Sequence, residues 1–86
     1  MTITKRFKTL TIQVNTIQDE NEASLIVVPT PDKKHTSIAS VKETISYERY
    51  EGKEVVKDLV GLVKTMTSDA DIESAMTQLN WEDRRK

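Results

Sequence analysis

The sequence predicts an α+β domain: a small three-stranded, mainly antiparallel sheet followed by two amphipathic helices. Three observations carry that prediction. Residues 8–14, KTLTIQV, alternate polar and apolar side chains, the period of a half-buried strand. Residues 23–29, ASLIVVP, form a short apolar run rich in β-branched side chains. Beyond Gly52 the apolar spacing changes from two to three and four, the period of a helix.

In the first strand Leu10, Ile12 and Val14 share a face, and Thr9, Thr11 and Gln13 share the other. Ile3 and Phe7 stand in the opposite phase. Either the strand begins near Lys8, or a bulge at Lys8–Thr9 exchanges the faces. The polar run QDENE, residues 18–22, reads as a hairpin tip. The second strand follows and weakens at Pro29, which has no amide to give to the ladder. Pro31 and Asp32 suit a type I turn, with Lys33, Lys34 and His35 at its solvated tip. Residues 38–47 read as the third strand, with Val41, Ile45 and Tyr47 on one face and Glu43 interrupting it.

The first helix covers EVVKDLVGLVKTM, residues 54–66, with a wide stripe of Val55, Val56, Leu59, Val60, Leu62, Val63 and Met66. Gly52 serves as its N-cap, and Glu51 and Glu54 complement the positive helix end. Gly61 inside the helix costs up to about 1 kcal/mol relative to alanine, and a close approach to the sheet would explain it. The second helix opens at Ser68, with Asp71 three residues on as a capping-box variant. Its stripe is Ile72, Ala75, Met76 and Leu79, and Trp81 docks its end. Residues 1–81 form one domain, and EDRRK, residues 82–86, is a charged, frayed tail.

Composition bounds the function. The chain has 86 residues, room for one core. A domain of this size buries only about 60% of its unfolded surface, so its stability is small. There is no cysteine, which removes disulfides, thiolate zinc sites and cysteine nucleophiles, and fits a reducing compartment. No run reaches the roughly 20 apolar residues of a membrane span, and MTITKRFK has no apolar signal core. The expectation is a cytoplasmic protein. With 13 basic and 14 acidic residues, any nucleic-acid binding must come from local patches.

Candidate site residues are few. His35 has no second histidine or cysteine to make a metal site, and no nucleophile elbow accompanies it, so it reads as a solvated loop residue. DADIE, residues 69–73, spaces acids as calcium loops begin, but lacks the turning glycine and the closing glutamate. Those acids favour a helix N-terminus. Tyr47, Arg49 and Tyr50 in YERYE are of the types enriched at binding hot spots. Lys5, Arg6, Phe7 and Lys8 interleave a basic cluster with an aromatic ring and, with Lys33–Lys34, could follow a phosphate backbone. No glycine-rich phosphate loop is present.

LTIQV, then LIVVPTPDKK, then EVVKDLVGLV form a layout that resembles the small PRTRC system protein E family, encoded in a gene cassette of plasmids and other mobile elements. The likeness spans roughly residues 10–63. It departs after the third strand, where SYERYEGKEV replaces a small turn and a Pro-Glu-Glu-Leu-like helix start. The resemblance implies a setting, a small accessory protein of a phage or plasmid, and no catalytic residue.

The reading that follows is a non-enzymatic protein-interaction module without cofactor or metal. The resemblance implies a phage or plasmid setting; small size and the lack of cysteines and catalytic signals also suit phage-encoded inhibitors, so the expected role is an accessory or inhibitor acting on a nucleic-acid-processing or defence protein in the host cytoplasm. The expected partner is another protein, bound through a sheet edge or through Tyr47, Arg49, Tyr50 and the Lys33–Lys34–His35 loop. A homodimer is expected at micromolar concentration, and no membrane. Two alternatives stay open: a small nucleic-acid-binding domain using KRFK and PDKKH, and a structural part of a larger assembly.

Overall fold

The computed structural model describes residues 1–17, 19–31 and 43–85. The order is β1 (Thr2–Arg6), β2 (Leu10–Ile17), β3 (Glu22–Pro29), β4 (Ser46–Glu51), α1 (Lys53–Thr65) and α2 (Asp69–Gln78). The strands form one antiparallel sheet in the order β1-β2-β3-β4, and both helices follow it. The α+β class is as the sequence predicts. The sheet has four strands, not three.

The extra strand explains the phase break. Phe7 donates its amide to the Leu10 carbonyl at 2.9 Å, so the chain reverses there and Lys8–Thr9 is a hairpin turn rather than a bulge. Ile3 then lies opposite Val14 and Lys5 opposite Ile12, and the two apolar phases meet on one face. The third strand of the sequence reading also shifts. It runs from Ser46 to Glu51, while Val41 and residues 32–42 lie outside the described residues. Ile45 and Tyr47 do not share a face. The Val27 carbonyl accepts the Ile45 amide at 2.8 Å although Val27 is paired with Ser46. Two residues thus oppose one, the alternation slips, Ile45 enters the core and Tyr47 faces out.

One face of the sheet is apolar: Leu10, Ile12 and Val14 of β2, and Ala23, Leu25 and Val27 of β3, are all buried. Val56, Leu59, Val60 and Val63 of α1 and Ile72, Ala75 and Met76 of α2 cover it. The opposite face carries Thr2, Thr4, Gln13, Asn15 and Arg49, as an antiparallel sheet with one wet side should. At one corner that face closes over. Thr11 and Val28 are buried there, Thr11 shares a hydrogen bond of 2.9 Å with the Thr30 hydroxyl, and the Arg6 guanidinium donates to the Pro31 carbonyl.

The connections follow local chemistry. Asp19 and Glu20 at the β2–β3 tip take φ of 55° and 68°, as a primed hairpin turn requires. Gly52 has φ 108°, which only glycine takes without strain; its amide closes the ladder on the Asn21 carbonyl at 2.8 Å and its carbonyl opens α1 by accepting from Val56 at 2.9 Å. The Lys5 ammonium reaches the other end of α1, donating to the Lys64 carbonyl at 3.1 Å.

The start of α2 is pinned by a carboxylate. Asp69 accepts the Leu10 amide at 2.8 Å and the Thr9 amide at 3.1 Å, tying the helix to the β1–β2 turn. The sequence reading assigned Asp69 only a helix-end role; its partners are about sixty positions away in the chain. The capping box expected at Ser68 is replaced by a bond one residue earlier. Asp71 accepts from the Thr67 amide at 2.6 Å and the Thr67 hydroxyl at 3.0 Å, while Ser68 makes no side-chain cap bond. Thr67 holds the Asp71 carboxyl below the usual aspartate range through these bonds. α2 ends in a Schellman motif. Asn80 takes φ 57°, Trp81 donates its amide to the Met76 carbonyl at 2.9 Å, and Asn80 donates to Thr77 at 3.3 Å. That turn sends Trp81 back into the core.

Gly61 does not do what the sequence suggested. An added Cβ there would meet nothing within 4 Å, and the residue faces solvent. The contact that would justify a glycine against the sheet is absent among the described residues. Gly61→Ala should therefore raise stability by up to about 1 kcal/mol, visible as a higher denaturant midpoint. Leu59→Ala should act oppositely. Leu59 is a buried member of the core, so its truncation should cost about 2–5 kcal/mol. A midpoint left in place by Leu59→Ala would contradict the orientation of α1.

Candidate interaction surface

The sequence marks three clusters, and the sheet treats each differently. KRFK is divided by strand alternation. Lys5 points to the helix side and bonds to the end of α1, and Arg6 points to the other face and bonds to Pro31. Phe7 packs partly buried against the core, and Lys8 is exposed in the turn. The four side chains do not make one surface. YERYE is divided in the same way. Tyr47 and Arg49 lie on the open face, where Tyr47 is 42% exposed beside Ile26 and Arg49 forms an ion pair with Glu22 at 3.2 Å. Tyr50 is on the helix side. Lys33, Lys34 and His35 lie outside the described residues.

Tyr50 belongs to a corner that pattern reading missed. The Trp81 indole N–H donates to its hydroxyl, which anchors the ring between β4 and the end of α2. Beside it, Val55, Leu59 and Leu62 of α1 and Leu79 after α2 line a shallow apolar groove of about 190 Å³, with Asp58 on its rim. Val55 and Leu79 are each 47% exposed, far more than their neighbours in the core. The signal was present in the stripe of α1, which is too wide for the sheet it covers. Val55 and Leu62 lie on its flank, left over after Val56, Leu59, Val60 and Val63 have reached the sheet.

The groove is smaller than the roughly 300–1,000 Å³ of small-molecule pockets and is open along its length. It suits a side chain or two of another macromolecule. A larger hollow of about 420 Å³ between Glu43–Ile45 and Arg84–Arg85 mixes charged and apolar lining. Among the described residues, no three His, Cys, Asp or Glu side chains come together as a metal site, and no helix is long and apolar enough to cross a membrane.

Beyond Trp81 the chain turns along β4. Glu82 donates its amide to the Glu48 carboxylate at 3.2 Å, and Arg84 donates its amide to the Ile45 carbonyl at 2.8 Å. Arg85 pairs with Glu73 at 2.9 Å and with Asp83 at 2.7 Å. Residues 82–85 are exposed and charged, and they run antiparallel to the strand whose edge they follow. No protein-family model matches the chain, and neither a curated protein nor a solved structure does.

The Tyr50 corner has a pH signature. Burial pushes the Tyr50 phenol above its ordinary value; the Trp81 N–H opposes that rise and the Glu48 charge adds to it. As pH rises through about 10 the unfolded phenol ionises first while the folded one keeps its proton. Stability from this group is complete below that point and declines from there up to the raised folded value. Tyr50→Phe should flatten the alkaline decline of the denaturant midpoint relative to wild type, with little change in its pH dependence near neutrality. A wild-type-minus-variant difference that stays constant with pH would rule out the buried phenol as its cause.

Proposed function

We propose that the chain is a non-enzymatic module that binds another protein through the corner formed by β4, α1 and α2. The observation that carries this is the apolar groove of Tyr50, Val55, Leu59, Leu62 and Leu79, two of whose members are about half exposed on a domain with little apolar surface to spare. An apolar floor with an anchored aromatic ring is the composition of an interface centre, and Asp58 supplies a polar group on its rim. The nucleic-acid alternative rests on KRFK and PDKKH; strand alternation puts Lys5 and Arg6 on opposite faces, and Lys33, Lys34 and His35 lie outside the described residues. The resemblance to a mobile-element family supports placing the module among accessory or inhibitory proteins of phages and plasmids, acting on a nucleic-acid-processing or defence protein in the host cytoplasm.

The experiment uses charge insertion at the exposed rim. Val55→Glu and Leu79→Glu should leave stability within about 0.5 kcal/mol, because both side chains are half in water already. Affinity capture from extracts of the cells that encode the chain should then recover a protein with wild type that both variants lose. Trp81, the sole tryptophan, reports the same event by fluorescence through its bond to Tyr50. A captured set identical for wild type and both variants would remove the groove as the binding surface.

A further inference from the structure

We infer that the outer edge of β1 is a self-association surface whose partner is β1 of a second copy of this chain, paired antiparallel about Thr4. The inference does not depend on the groove, which lies on the β4 side of the sheet.

The backbone alternation of β1 sets the argument. Thr16 donates to the Met1 carbonyl at 2.8 Å and Phe7 donates to the Leu10 carbonyl at 2.9 Å, so the odd-numbered residues of this strand bond to β2. The N–H and C=O groups of Thr2, Thr4 and Arg6 therefore point away from the sheet. All three residues are exposed, and none of their backbone groups finds a partner among the described residues. The far edge of the sheet differs. The outward carbonyl of Ile45 on the β4 side is taken by Arg84, and residues 82–85 follow that edge. Among the described residues no outward backbone group of β1 is taken, whereas on the β4 side Arg84 takes the carbonyl of Ile45, just before the strand.

The side chains of β1 select both the partner and the register. Outward groups must face outward groups, so even residues pair with even ones. Centring the pair on Thr4 sets Thr4 against Thr4, Thr2 against Arg6 and Ile3 against Lys5 of the second copy, and uses the full strand. Threonine pairs are favourable cross-strand neighbours, and no like charges stand opposite each other. Sliding by one pairing step toward Arg6 puts Lys5 against Lys5, and the next step puts Arg6 against Arg6. Sliding the other way shortens the ladder. One register is thus complete and free of like-charge contact.

Lys5 would ordinarily guard such an edge, since an inward-pointing charge opposes edge pairing. Here its ammonium is already spent on α1, bonding to the Lys64 carbonyl at 3.1 Å and reaching the Met66 carbonyl at 3.5 Å. Its charge is drawn back over its own subunit and away from the edge, and its aliphatic stem is left to face Ile3.

Sedimentation equilibrium of the full chain, from low micromolar to near-millimolar concentration, tests the pairing. Wild type should pass from monomer to dimer mass within that range. Thr4→Pro removes an amide that points away from β2, so the fold's own ladder stays whole while the two central inter-chain bonds are lost. Its dimer dissociation constant should rise about tenfold or more. Thr4→Lys keeps the amide and sets two ammonium groups together on the two-fold axis, and it too should weaken the dimer. Far-ultraviolet circular dichroism and the denaturant midpoint confirm that each variant is folded, and Thr4→Lys decides the matter if Thr4→Pro is not. A wild type that stays monomeric throughout would overturn the inference. So would a folded Thr4→Lys or Thr4→Pro that dimerises as tightly as wild type.

Discussion

Everything in this molecule depends on covering one face of one sheet. Ile12, Val14, Leu25 and Val27 reach complete burial, yet they stand on two central strands that cannot shield them alone. At this chain length a single such face is nearly all the apolar surface available, and burying it at about 25 cal/mol per Å² is the main term that opposes chain entropy. α1 crosses the whole sheet, touching every strand from β4 to β1, and α2 fills in over β2. The helices have no other core. If α1 moved, Val63 and Leu59 would lose their partners and the strands would lose theirs.

Because the cover is so thin, polar groups hold it in place. Asp69 binds two amides of the β1–β2 turn, and Lys5 binds the carbonyls at the end of α1. These bonds sit at the ends of α1 and α2 where the two helices meet, and both reach back to the first hairpin. Asn80 then bends the chain so that Trp81 plugs the opposite corner and donates to Tyr50. Each bond is worth about 1 kcal/mol net, more where a charge takes part. Their combined effect is to fix where two short helices sit on a twisted sheet, which non-directional apolar contact does not do by itself.

The same economy leaves surface over. The stripe of α1 is wider than the strip of sheet beneath it, so Val55 and Leu62 spill onto the flank and meet Tyr50 and Leu79. The meander leaves two edges, and residues 82–85 follow only the β4 edge. Groove and open edge lie on opposite sides of the domain, so occupation of one leaves the other accessible.

The sequence by itself determined the class of the fold, the β2–β3 hairpin, both helices and most of the core, because alternation and the 3.6-residue period are properties of neighbours in the chain. Leu10, Ile12 and Val14, and later Val56, Leu59, Val60 and Val63, announce their burial by spacing alone. The first strand was hidden because TITKR is short and polar in all but Ile3; its inward side carries Ile3 and a lysine, and the purpose of that lysine lies at the far end of α1. Gly52 was legible as a helix start because its requirement is local. Gly61 was misread because its surroundings are not. The splitting of KRFK and YERYE between two faces follows from strand geometry, but only once the strand boundaries are known. The groove, the Asp69 clamp and the Trp81–Tyr50 contact join residues 17 to 60 positions apart, and no local pattern encodes which distant side chains meet. Tertiary packing alone decided them.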